Sequence, residues 1–320
     1  MRVADLTEEQ LLARIVPELP TGTRTLLGPG DDAAVVAAPD GRFVVTTDVL
    51  VEDRHFRRAW SSGEDVGRRA AVQNLADVAG MGAVPTSLVV TLAMPGELDV
   101  EWVVSLARGL GAACAPWGVG VVGGDLSGAP LVVVSVAAHG DLEGRAPLLR
   151  SGARPGDVLA HAGALGRSAA GLALLDAGRP EADPDLVEAF LRPTSPLAAG
   201  PAAARGGAVA LMDVSDGLLR DAGRLARASG VRLDLTAAAL GPDVAALRGA
   251  AELVDDDPWA WVLGGGEDHG LLGAFPPDVA LPAGFRAVGR VLPAEPDEPV
   301  VTLDGRVPDV VAGWDHFARP

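Results

Sequence analysis

Apolar runs in this chain come in two lengths, and their alternation restricts the fold more than any other feature. Short runs rich in β-branched residues, at 119–122 and 131–138, have the length of strands. Longer segments space their apolar residues for helices. One starts at the capping residue Thr7 and carries Leu11, Leu12, Ile15 and Val16, and another spans 64–81 with Val66, Ala70, Leu75 and Val78. Strands are expected at 33–37 and 43–47, joined as a hairpin by Pro39-Asp40-Gly41, and again at 87–93, before a helix at 100–115. This α/β pattern ends near residue 145. The turn-rich stretch Arg150-Ser-Gly-Ala-Arg-Pro-Gly-Asp157 opens a second half. There the spacing predicts strands at 158–162 and 208–212, and the remainder, with 231–235, 286–291 and 300–303, reads as mixed. Helices are predicted at 167–176, from Pro184, from Pro196 and at 217–229. The expectation is an α/β chain of two domains, 1–145 and 146–320.

Composition narrows the chemistry. All 26 basic residues are arginine. Without lysine there is no phosphate-loop lysine, no protein-kinase strand lysine and no Schiff base. Cys114 is the single cysteine, which excludes an intrachain disulfide and a cysteine-based zinc site. The net charge of −17 argues against a nucleic-acid partner. A phosphorylated substrate stays compatible with that charge if divalent cations lie between carboxylates and phosphates. No apolar run is long enough to span a membrane, and the N-terminal acids Asp5, Glu8 and Glu9 do not suit a signal peptide, so a cytoplasmic location is expected.

The acids that matter lie where apolar elements meet loops. They are Gly28-Pro-Gly-Asp-Asp32, Thr46-Thr-Asp48, Asn74-Leu-Ala-Asp77, Gly123-Gly-Asp125 and Asp213-Val-Ser-Asp216. Taken singly, each has a plain structural account, since Asp before a helix is a cap and Gly-Asp is turn chemistry. Five such segments in one chain point instead to carboxylates converging on hard cations, for which Mg²⁺ beside substrate phosphates is the fitting ion. Gly264-Gly-Gly-Glu-Asp268 reads either as a tight turn with solvated acids or as backbone approaching a ligand, with Glu267 at a polar or cationic group. His55 is placed for a ligand contact, whereas His139, His161, His269 and His316 read as ordinary core or surface residues. Trp314 is either core or a stacking platform. Gly163-Ala-Leu-Gly166 reads as a turn more readily than as an anion site at a helix start.

Together these segments resemble the thiamine-monophosphate kinase family, within the superfamily of aminoimidazole ribonucleotide synthetase. The resemblance rests on the five aspartate segments together with Val49-Leu-Val51, His55-Phe56, Val78-Ala-Gly-Met-Gly82, Arg150 to Asp157, Arg192-Pro193, Gly217-Leu218, Gly265-Gly-Glu-Asp268 and Gly313-Trp-Asp-His-Phe317, in the family's order across nearly the whole chain. It implies a two-domain α/β (α+β) fold of the aminoimidazole ribonucleotide synthetase type. The N-terminal domain would form a homodimer, and the C-terminal domain would complete the active-site cleft. It also implies phosphorylation of thiamine monophosphate by ATP. In that reading Asp32, Thr46, Thr47, Asp48, Asp77, Asp125, Asp213 and Asp216 hold several Mg²⁺ ions, with Asp48, Asp77, Asp213 and Asp216 at the centre of catalysis. Gly124, Asp125, Arg150 and Ser215 would contact ATP, and His55, Glu267 and Trp314 would contact thiamine phosphate. Two alternatives are another ATP-using superfamily member and a non-catalytic Mg²⁺-nucleotide-binding protein.

Overall fold

The computed structural model describes residues 1–29, 33–295, 298–311 and 313. Its contacts divide the chain into two compact units, Met1–Val78 with Ala83–Gly144, and Ala79–Gly82 with Arg145–Pro320.

The first unit contains α1 (Glu8–Ile15), β1 (Thr25–Leu27), β2 (Val35–Val36), β3 (Val44–Val51), α2 (Gly63–Gly80), β4 (Val84–Met94), α3 (Val100–Cys114), β5 (Gly120–Gly128) and β6 (Val133–Asp141). Thr7 caps α1 through a reciprocal pair with Gln10. Strands β3, β6, β4 and β5 form one sheet in that order. Helices α2 and α3 lie so close that a Cβ on Gly67 would overlap the backbone of Leu106. Only glycine permits that approach. Leu75, Val78, Leu106 and Leu110 fill the apolar layer, each almost fully buried.

The expected hairpin does not form. β2 pairs with β1, and β3 pairs along its whole length with β6. The Pro39-Asp40-Gly41 turn itself is present, with Gly41 at φ +72° and Asp40 accepting hydrogen bonds from the Arg42 amide and guanidinium. Local turn chemistry makes a bend but does not choose a strand's partner, and an eight-residue ladder to β6 outweighs what a two-residue β2 could offer.

The second unit contains β7 (Val158–Ala162), α4 (Arg167–Asp176), α5 (Pro184–Leu191), α6 (Ala199–Arg205), β8 (Ala210–Val214), α7 (Leu218–Ser229), β9 (Val231–Leu235), α8 (Ala237–Val254), α9 (Pro258–Gly264), β10 (Gly270–Phe275), β11 (Phe285–Pro293) and β12 (Val301–Leu303). The sheet order is β12-β9-β11-β7-β10-β8, antiparallel except for the β12–β9 pair. Every residue of β10 is buried. A strand covered on both faces loses the apolar–polar alternation that marks strands in sequence. Helix α7 is amphipathic and buries Leu218, Leu219, Ala222, Leu225 and Ala226, and burial of a leucine such as Leu225 contributes about 2 kcal/mol. Among the described residues no helix is long and apolar enough to cross a membrane.

Candidate active site

In the first unit the candidate acids gather where β3 meets α2. Thr46 and Asp48 alternate with Thr47 along β3, so their side chains lie on one face and that of Thr47 on the other. Thr46 Oγ1 donates to Asp77 Oδ2 at 2.7 Å. Asn74, fully buried one turn before Asp77 on α2, accepts from the Asp48 amide at 3.0 Å and donates to the Ala70 carbonyl at 2.9 Å. It therefore ties the middle of β3 to the helix and sets the height of Asp48 against Asp77. The Thr47 hydroxyl donates to the Val136 carbonyl at 2.8 Å.

Asp125 is not part of that group within its own sheet. It lies inside β5 rather than after a strand, and it is in register with Thr91, Ser135 and Val49. Register partners share a face, so Asp125 lies on the face opposite Asp48 and roughly 14 Å of sheet away, three strand spacings. Asp48 likewise sits in mid-strand, not at a strand end. Phe43, Val45 and Val49 are exposed on that same second face, at 59%, 60% and 44%. A cavity of about 490 Å³ opens there, lined by Val36, Phe43, Ser87, Val89, Gly124 and His139.

His55 follows β3 in a turn that begins with Asp53 at φ +63°. The Val51 amide donates to His55 Nδ1 at 3.0 Å, which leaves the proton of the neutral ring on Nε2.

In the second unit Asp213 lies in the edge strand β8, in register with Leu271 of β10, and is 6% exposed. Gly80, the last residue of α2, abuts it, since a Cβ there would stand 3.0 Å from the Asp213 amide nitrogen. The loop after β8 is held by an acid the sequence did not single out. Asp221, buried on α7, accepts from the amides of Ser215 and Asp216 at 3.0 and 2.9 Å. Burial pushes its carboxyl above the usual range, against those hydrogen bonds and the Arg224 charge. Arg224 bridges Asp221 at 2.5 Å and Asp216 at 2.6 Å.

This loop docks on Gly264-Gly-Gly-Glu-Asp268. The Glu267 amide donates to the Ser215 carbonyl at 2.8 Å, and Ser168 Oγ donates to the Glu267 carbonyl at 3.0 Å. Gly217, at φ +113°, is required there because a Cβ would stand 2.5 Å from the Gly264 carbonyl oxygen. Glu267 and His269 both adopt left-handed backbone, φ +71° and +50°, with their side chains 3.6 Å apart. Between them Asp268 is buried, not solvated. It accepts from the amides of Gly166 and Ser168 at 2.5 and 2.8 Å, and burial raises its pKa. The start of α4 is thus satisfied from inside the protein, as a turn and cap rather than an anion site.

Gly313 lies against the same loop, where a Cβ would overlap the Asp216 carbonyl oxygen. Arg150 is exposed, and its carbonyl accepts from Ser229 Oγ at 2.7 Å. Asp32 and Trp314 lie outside the described residues.

Among the described residues, no three His, Cys, Asp or Glu side chains gather into a group that could hold a cation. Mg²⁺ does not require one, since it keeps several waters and takes one or two carboxylates beside substrate phosphates. The donors on each unit are hard oxygens, Thr46, Asp48 and Asp77 on one and Asp213 and Asp216 on the other, and their chemistry fits that ion.

Two family models cover most of the chain. AIR synthase related protein, N-terminal domain, matches residues 30–142, and its C-terminal domain matches 154–277. A thiamine-monophosphate kinase of Mycobacterium tuberculosis is 50% identical over 316 residues, 98% of this chain and 93% of the relative. The solved thiamine monophosphate kinase of Aquifex aeolicus matches at 32% identity with a TM-score of 0.76, covering 96% of this chain and 99% of that one. AaThiL complexed with AMPPCP and TMP matches at 33% identity and a TM-score of 0.77, covering 99% of both chains. On sequence and on fold alike, the chain belongs to the thiamine-monophosphate kinase family of phosphotransferases.

Proposed function

We propose that the chain transfers the γ-phosphoryl group of ATP directly to thiamine monophosphate, giving ADP and thiamine diphosphate, with several Mg²⁺ ions held by its aspartates. The observation that carries this reading is the likeness, over nearly the whole chain, to thiamine-monophosphate kinases, one of them solved with AMPPCP and TMP.

The acceptor is a phosphate oxygen already ionised at neutral pH, so the protein need not supply a strong general base. Its task is to bring two anions together and hold them in line. Mg²⁺ bound at the acids would supply the charge neutralisation. Asn74 holds the Asp48 amide, Thr46 the Asp77 carboxylate and Asp221 the Ser215 and Asp216 amides, which supports a preorganised set of acids. Gly124, Asp125, Arg150 and Ser215 are assigned to ATP. His55, Glu267 and Trp314 are assigned to thiamine phosphate, where the Glu267 carboxylate suits the cationic thiazolium. An ATP-dependent reaction of this kind belongs in the cytoplasm.

A homodimer formed through the first unit is part of the same reading. What supports it is the row Phe43, Val45 and Val49, exposed on the second face of the sheet. Asp125 lies on that face, so a partner docked there would bring the Asp125 of one copy to the other.

The test is an assay of the protein with ATP, Mg²⁺ and thiamine monophosphate for thiamine diphosphate. ATP binding without product would reject the kinase reading in favour of a binding protein. Asp48→Asn and Asp213→Asn should each abolish turnover with the fold intact, and wild-type rates in both would refute the metal assignment. A chiral γ-phosphate should be transferred with inversion, and retention would rule out direct attack.

A further inference from the structure

The loop that follows β8 and carries Asp216 has its own cation. Arg224, nearly two turns into α7, reaches Asp216 Oδ2 at 2.6 Å with one guanidinium nitrogen and Asp221 Oδ1 at 2.5 Å with another. Asp221 has no solvent-exposed side-chain surface and spends its second oxygen on the Ser215 and Asp216 amides. The guanidinium is therefore anchored on one side by a buried acid that cannot leave. On the other side it meets Asp216, whose side chain is 19% exposed and sits at the mouth of the loop. Arg220 approaches the same Asp216 oxygen at 3.8 Å. An anchored cation on one acid and a more exposed acid on its far side form an exchangeable contact: the Asp221 end stays, and the Asp216 end competes with any other cation that arrives.

We propose that Arg224 is a positioning residue that holds the Asp216 carboxylate in the cation-free protein and yields it to a divalent cation. This rests on the reading of Asp216 as a Mg²⁺ ligand. It accounts for two carboxylates, Asp216 and Asp221, lying close together, which mutual repulsion would otherwise oppose. It also gives the loop a cost for loading: the ion must displace one end of a bridged arginine, so the site favours a divalent charge over a monovalent one. Arginine suits the role because its fork spans two carboxylates at once.

The test uses the full chain without nucleotide, with Mn²⁺ as the probe and its free-ion electron paramagnetic resonance signal as the readout. Arg224→Gln removes the competitor and should tighten the Asp216-dependent site roughly three- to fivefold, the scale of one partly exposed ion pair. Arg224→Lys keeps the charge but cannot span both carboxylates, and its Mn²⁺ binding should fall between wild type and Arg224→Gln. In the absence of cation Arg224→Gln should melt earlier than wild type, and Mn²⁺ should narrow that difference without closing it, because Asp221 still lacks its partner. Unchanged or weaker Mn²⁺ binding in Arg224→Gln, with the site lost in Asp216→Asn, would overturn the inference and leave the metal assignment standing. Unchanged binding in Asp216→Asn would overturn the assignment itself.

Discussion

His161 should make the stability of the second unit fall with acid in a way that one substitution removes. It lies in the middle of β7, between Leu272 of β10 and Arg286 of β11, with no exposed surface. Neither ring nitrogen has a hydrogen-bond partner among the described residues. Burial, aided by the Arg286 charge, lowers its pKa to about 3. In the unfolded chain the imidazole titrates near its ordinary value, about 6.5. As pH falls below that value the unfolded state takes up a proton that the folded state refuses, so stability declines until the folded pKa is reached. For one group the loss is about 1.4 kcal/mol at pH 5.5 and about 2.7 kcal/mol at pH 4.5, relative to neutral pH. His161→Leu, of similar size and with no polar atoms to leave unpaired, should unfold in urea at or above the wild-type midpoint at pH 7.5. Its stability should then separate from the wild type by those amounts as pH drops. Urea unfolding at four pH values between 7.5 and 4.5, followed by a probe in the second unit, reads the difference. Parallel curves for the two proteins would show that His161 is solvated or hydrogen-bonded in the folded state and would refute the argument.

Asp268→Ala would leave the Gly166 and Ser168 amides unpaired in the interior and should cost about 3 kcal/mol, read by thermal or urea unfolding. The left-handed Glu267 and His269 on either side would lose their anchor, so the KM for thiamine monophosphate should rise even at temperatures where the variant is folded. Val45→Asp places a charge in the exposed apolar row of β3 and, if the proposed homodimer forms through that row, should yield a monomer in sedimentation velocity without lowering unfolding stability by more than about 1 kcal/mol. An unchanged sedimentation coefficient would move the dimer interface elsewhere.

What failed to be legible has a common cause. The Pro39-Asp40-Gly41 turn was correctly placed, yet its strands pair with other partners, because strand pairing is a contest among distant segments. β10 has no alternation to read, since both of its faces are covered, and α8 went unmarked among alanines with Pro242 inside it. Asp221 looks in sequence like one more charge on a helical face, and only the packing of α7 turns it inward. Asp268 was expected to be solvated for the same reason. Both became structural carboxylates once their amide partners, far away or across a loop, were in place.

The α/β character, the absence of lysine chemistry, the kinds of acid that can hold a hard cation and the family to which the chain belongs are all legible in the chain before it folds. These follow from residue identity and from spacing within single segments. The tertiary structure alone decided which acids are neighbours. Thr46 bonds Asp77 directly and Asn74 ties Asp48 to the same helix, while Asp125 lies on the other face of the same sheet. The Asp213–Asp216 loop is set by Asp221 and Arg224. Those relations depend on strand register and helix rotation: a shift of one residue moves a strand side chain to the opposite face and turns a helix side chain by about 100°.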